Sequence, residues 1–136
     1  MQSDPVYEAL IPEIIDYLRG GIRLALESGV AEDRIMVDPG LGFGKTLEHN
    51  LEIIHNLHEF TLLEKPLLIG PSRKAFLGTV LGGVPPEERL EGSAAAVAIS
   101  ILNGANIVRV HDVKEMVRVA RVADAIKRMR ICSQED

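Results

Sequence analysis

Pro66-Leu67-Leu68-Ile69-Gly70-Pro71-Ser72-Arg73-Lys74 joins a short apolar run to a turn carrying a hydroxyl and two cations. A run this short, bounded by glycine and proline, reads as a strand buried on both faces. The pattern recurs about 31 residues upstream at Ile35-Met36-Val37, closed by Asp38-Pro39-Gly40, and about 40 residues downstream at Ile107-Val108-Arg109-Val110-His111. Such spacings leave room for crossover helices between parallel strands. The expected fold class is α/β. Polar and glycine-rich residues collect at the C-terminal end of each strand, the edge where such folds bind ligands.

The intervening segments carry helical spacing. Residues 9–28 align Leu10, Ile14, Tyr17, Leu18, Ile22 and Leu26, and residues 46–60 align Leu47, Leu51, Ile54, Leu57 and Phe60. A small-residue helix is expected over 89–103, after a loop at 82–86, and a last helix over 113–130 with Met116, Val119, Val122, Ala123 and Ile126 inward. A (β/α)8 barrel takes roughly 200 residues or more, and this chain has 136. The expectation is therefore one partial barrel domain over residues 1–136, with about three parallel strands and open edges that more chain or a second copy must cover.

Composition removes several classes. Lys plus Arg number 15 against 20 Asp plus Glu, a net charge of −5 that is unsuited to general nucleic-acid binding. Aromatics make up 4%, too few for platforms that stack single strands. The single cysteine, Cys132, excludes an intrachain disulfide and a cysteine-based metal site. No apolar run approaches the ~20 residues of a membrane span. Met1-Gln2-Ser3-Asp4-Pro5 lacks the basic and apolar parts of a secretion signal, so the expected setting is cytoplasmic.

Gly44-Lys45-Thr46 ends like a P-loop, but the glycine needed five residues before Gly44 is Pro39, which has no N–H. Gly40, Gly42 and Gly44 also miss the dinucleotide-binding spacing. What remains is Asp38 at a strand end among glycines: a solvated turn, or a receptor for a ligand's N–H groups. Ser72-Arg73-Lys74 is either a surface pair of cations or a lysine at a pocket mouth, fit to meet a carbonyl or an anion. Arg109 and His111 alternate with Val108 and Val110, so both point to one face of their strand. They suit a phosphate or pyrophosphate, unless Arg109 pairs with Asp38 or Asp112. His55 and His58, with Glu52 and Glu59, read as a solvated helix face rather than a metal site.

Together, Asp38-Pro39-Gly40-Leu41-Gly42-Phe43-Gly44-Lys45, Ser72-Arg73-Lys74, Glu91-Gly92-Ser93-Ala94-Ala95 and Arg109-Val110-His111-Asp112-Val113 resemble the dihydropteroate synthase family over nearly the whole chain. The resemblance implies the C-terminal part of a (β/α)8 TIM barrel, from just before the fifth helix through the last three strands. It implies a transferase of folate biosynthesis, a sulfonamide target, that condenses 6-hydroxymethyl-7,8-dihydropterin pyrophosphate with p-aminobenzoate to give dihydropteroate and pyrophosphate. The catalytic set it implies is Asp38, Lys74, Arg109 and His111. Asp38 would bind the pterin N–H groups and Lys74 the pterin carbonyl, beside a p-aminobenzoate site lined by Gly42 and Phe43. Arg109 and His111 would hold the leaving pyrophosphate, with Ser72 and Arg73 nearby. Ala75 stands where the family often has a serine on the p-aminobenzoate carboxylate.

Mg2+ is the implied cofactor, with its ligands and the family's mobile loops in an N-terminal half absent here. No metal ligand is expected in this chain, and turnover by the chain alone is expected to be low. The expected partners are the two substrates, with no nucleic acid and no membrane, and a second copy or the missing half across the open edges. The alternatives are a non-catalytic fragment or scaffold that keeps the pterin-binding residues, and a methyltetrahydrofolate methyltransferase-type domain. The cations suited to a pyrophosphate argue against the latter.

Overall fold

The computed structural model describes residues 9–42 and 44–129, so Phe43, Cys132 and residue 130 at the end of the last expected helix lie outside the described residues. Helix α1 (Leu10–Glu27) starts with the Glu13 carboxylate accepting the Ala9 backbone N–H at 3.2 Å and ends at Ser28-Gly29. It buries Leu10, Ile11, Ile14 and Ile15, with Leu18 and Ile22 packed alongside. Tyr17, expected inward, is 81% exposed, and Leu26 is also exposed. The buried stripe is thus rotated by one position towards Ile11 and Ile15, and only the first two turns carry fully buried side chains.

The strands are parallel and short. Strand β1 (Leu68–Ile69) pairs with β2 (Ile107–Val108) in the register Leu68 to Ile107 and Ile69 to Val108. The expected strand at Ile35–Val37 contracts to one parallel bridge, Val37 to Leu67, made by Val37 N–H to Pro66 C=O at 2.9 Å and Leu68 N–H to Val37 C=O at 2.8 Å. The spatial order is therefore Val37, β1, β2. The last strand stops short of His111 because its neighbour turns into Gly70-Pro71, and proline offers no N–H to extend the ladder. The rung after Arg109 N–H to Ile69 C=O, 3.0 Å, is replaced by a side chain: His111 N–H donates to Ser72 Oγ at 3.1 Å. Burial on both faces does not hold throughout, since Ile107 and Met36 are exposed.

Helix α2 (Leu47–His55) carries a reciprocal cap, with Thr46 Oγ1 accepting His49 N–H and His49 Nδ1 accepting Thr46 N–H, both at 3.1 Å. It ends earlier than its apolar pattern predicts. Asn56 and Asn103 side chains donate to the Glu52 and Ile54 carbonyls, and a 3-10 segment, Leu57–Leu63, continues. Leu57, Phe60 and Leu63 are still buried. A short helix the apolar pattern did not suggest, α3 (Ala75–Val80), follows the Ser72-Arg73-Lys74 turn. Helix α4 (Leu90–Leu102) packs its Val97 and Ile101 against Met116 and Ala123 of α5 (Val113–Lys127). Val122 and Ile126, expected inward, are each 62% exposed. No helix among the described residues is long and apolar enough to cross a membrane.

Candidate functional site

The C-terminal ends of the three parallel segments open on a cleft of about 460 Å³. Asp38 follows the Val37 bridge, Ser72 and Lys74 follow β1, and Arg109 and His111 follow β2; all five line the cleft. Leu41 and Leu68 supply apolar wall, and Gly70 lies alongside the Arg109 backbone at the end of β2.

Each side chain has a local cause for its placement. Asp38 Oδ1 accepts the Gly40 N–H at 2.8 Å, an Asx turn that reverses the chain at the strand end. The following loop is tied down by the buried Asn50, whose Oδ1 accepts Gly42 N–H at 2.7 Å while its Nδ2 donates to Thr46 C=O at 2.9 Å. Gly42 has φ +94°, and a Cβ on it would meet Lys74 at 3.8 Å. Lys74 Nζ reaches back to Leu41 C=O at 3.5 Å, so the loop after Asp38 and the turn after β1 close on each other.

Ser72 is buried and bridges the last two strand ends, with Oγ 2.8 Å from His111 Nδ1 as well as accepting the His111 N–H. When the hydroxyl donates to Nδ1, Nε2 carries the ring proton and is the donor available to an anion. The Arg109 guanidinium has no carboxylate within 4.0 Å among the described residues, and Asp112 is committed elsewhere. Arg73 takes it, with Nη2 to Oδ1 at 2.8 Å and Nε to Oδ2 at 3.3 Å. The Arg73 hydrogen bond holds the Asp112 carboxyl below its usual range, and the same bond raises Arg73. Arg73 is thus turned out of the cleft wall and into the base of α5.

Lys45 lies behind Asp38 and shares a second cavity with it, between α1 and the loop, lined also by Tyr17 and Pro39. Burial pushes the Lys45 ammonium below the usual lysine value, and the Asp38 charge draws it part of the way back. Below the folded-state pKa, burying the charge costs stability; above it, only the unfolded chain keeps the proton, so stability rises with pH up to the unfolded value. Lys45→Met is expected to melt slightly higher than the wild type near neutral pH, by a margin that shrinks as pH approaches the usual lysine range. Thermal melts across that range check this, and a margin that widens with pH contradicts it.

Sequence reasoning missed Asn50, Arg89 and Ser93. Asn50 carried a signal, an amide in the middle of an otherwise apolar helix face. Ser93 was masked by the small residues around it. Among the described residues, no group of three or more His, Cys, Asp or Glu side chains is placed to hold a metal.

Residues 1–111 match the family model described as pterin binding enzyme. The dihydropteroate synthase of Bacillus subtilis is 45% identical over 120 residues, which cover 88% of this chain and 42% of that protein. The Yersinia pestis dihydropteroate synthase, solved with a sulfonamide drug, is 39% identical with a TM-score of 0.91, covering 95% of this chain and 47% of the other. The Xanthomonas albilineans enzyme in complex with 7,8-dihydropteroate is 33% identical with a TM-score of 0.89, over 96% of this chain and 50% of that one. This chain therefore spans less than half the length of its Bacillus relative. The α/β architecture, the cleft at its strand ends and a family match running through His111 agree, and the chain belongs to the pterin binding enzyme family.

Proposed function

We propose that residues 1–136 are the C-terminal part of a (β/α)8 barrel and carry the pterin and pyrophosphate subsites of a cytoplasmic dihydropteroate synthase. The observation that carries this reading is the meeting of one carboxylate, Asp38, with Lys74, Arg109 and His111 around a single cleft. A dihydropterin offers N–H donors and a carbonyl at one end and a polyanion at the other, and the cleft offers the complements. Asp38 accepts the ring N–H groups, Lys74 meets the carbonyl, and Arg109 with His111 holds the pyrophosphate.

In the reaction, the methylene C–O bond breaks and its electron pair leaves with pyrophosphate. The lone pair of the p-aminobenzoate amine forms the new C–N bond, and that nitrogen then releases a proton. Arg109 and His111 stabilise charge as it builds on the leaving group, while Asp38 offsets positive charge spread over the ring. Gly42, against Lys74, borders the space for p-aminobenzoate, with Phe43 beside it in sequence. Arg73 supports Ser72 and Lys74 through its bond to Asp112. Mg2+ belongs to this reading through the family. Among the described residues no group of three or more His, Cys, Asp or Glu side chains is gathered for it, and no step here runs through it.

Calorimetric titration with 6-hydroxymethyl-7,8-dihydropterin pyrophosphate tests the reading. One saturable site is expected in the chain and is expected to disappear in Asp38→Ala; binding that survives that change would reject the assignment.

The exposed Tyr17 and Leu24 of α1, Val122 and Ile126 of α5, and Ile107 at the sheet edge are the surfaces that the remaining barrel would cover. Alone, the chain is expected to self-associate through them. Sedimentation velocity at micromolar concentration should show species heavier than 14.9 kDa, and a stable monomer of that mass would contradict this.

A further inference from the structure

We propose that Arg89 and Ser93 are positioning residues for the cleft, acting together as a clamp on the backbone of Arg73. Arg73 has φ +57°, a left-handed conformation that side chains other than glycine adopt at a cost. Something must hold it there. The Arg73 N–H donates to Ser93 Oγ at 2.9 Å, and the Arg73 C=O accepts from Arg89 Nη1 at 2.8 Å. Ser93 sits in the first turn of α4 and Arg89 is the residue that caps that helix, its C=O accepting the Ser93 N–H at 2.8 Å. Ser93 is fully buried, and Arg89 Nε also donates to Val84 C=O at 3.0 Å, which fixes the plane of the guanidinium.

Space for that guanidinium exists only because residue 78 is glycine. A Cβ there would lie 2.5 Å from Arg89 Nε and 2.7 Å from its Cζ. The clamp matters to the cleft because Ser72 and Lys74 flank Arg73 and both line the cleft wall. A return of Arg73 to negative φ would rotate the two peptide planes that aim them. Ser72 would lose its register with His111, and Lys74 its reach to Leu41. The ligand consequence rests on the reading of the cleft as a pterin pyrophosphate site.

The test uses the full chain as wild type, Ser93→Ala and Gly78→Ala. Amide hydrogen exchange of Arg73 is read by NMR against the core amide of Val97, and affinity for 6-hydroxymethyl-7,8-dihydropterin pyrophosphate by calorimetry. Gly78→Ala is the sharper variant, since alanine favours the helix in which residue 78 sits. Without a clamp it should be neutral or stabilising. Both variants are expected to speed Arg73 exchange at least about tenfold with Val97 unchanged, and to weaken the ligand by about tenfold, a change of roughly 1.4 kcal/mol. Arg73 exchange that stays at the wild-type rate in both variants overturns the clamp. Local loosening at Arg73 with ligand affinity unchanged overturns its positioning role. A wild type that binds no pterin, while Ser93→Ala still loosens Arg73, overturns the ligand reading and leaves the clamp standing.

Discussion

Replacing Arg109 with methionine is expected to weaken binding of 6-hydroxymethyl-7,8-dihydropterin pyrophosphate about 10- to 150-fold, the loss of a charge-assisted contact worth roughly 1.5–3 kcal/mol. The same pterin without its pyrophosphate should bind Arg109→Met and wild type alike. The separation follows from the geometry. The Arg109 backbone is held by Ile69 C=O and its Cβ lies against Gly70, so the strand end stays in place when the guanidinium is removed. No carboxylate within 4.0 Å claims that guanidinium among the described residues, so its charge is free for a ligand anion. Titrations of both ligands into both proteins decide it. Equal losses for the two would mean that Arg109 shapes the cleft rather than reads an anion.

Phe60→Ala is expected to cost about 3–5 kcal/mol, the usual range for removing a buried aromatic from a core. Phe60 is fully buried in the cluster that joins α1, the 3-10 segment and β1, with Ile53, Leu57, Leu67 and Ile69 equally enclosed. Domains are stable by only about 5–15 kcal/mol. A chain that leaves Val122, Ile126 and Ile107 uncovered starts from the low end of that range. Chemical denaturation should therefore find Phe60→Ala largely unfolded at 25 °C. A loss under ~1 kcal/mol would mean that neighbouring side chains collapse into the space.

What the sequence revealed and what it hid have separate physical causes. The strand ends were legible because Val37, Ile69 and Val108 each abut a polar or glycine-rich turn, and a parallel strand needs little more than a short apolar run. The candidate residues followed, since Asp38, Lys74, Arg109 and His111 are polar groups placed just past those runs. The direction of Arg73 was not legible. Two adjacent cations at a strand end look alike, and only the left-handed turn sends one to Asp112 and leaves the other at the cleft. Tyr17 and Ile126 were placed inward because helical spacing shows that a helix has an apolar face but fixes its rotation only loosely; the buried positions include Ile11 and Ile15 in α1 and Met116 and Ala123 in α5. The early end of α2 was hidden because Leu57 and Phe60 keep their burial in a 3-10 continuation, and because the Asn103 cap on Ile54 C=O is a tertiary contact; the Asn56 cap on Glu52 C=O is local.

The most direct measurement is a crystal structure of the protein with 6-hydroxymethyl-7,8-dihydropterin pyrophosphate bound. The account predicts the ring N–H groups within about 3 Å of the Asp38 carboxylate and the phosphate oxygens within similar reach of Arg109 and His111. A pterin seated in the cavity between α1 and Lys45, or one whose phosphates lie at the Asp38 end of the cleft, would contradict it.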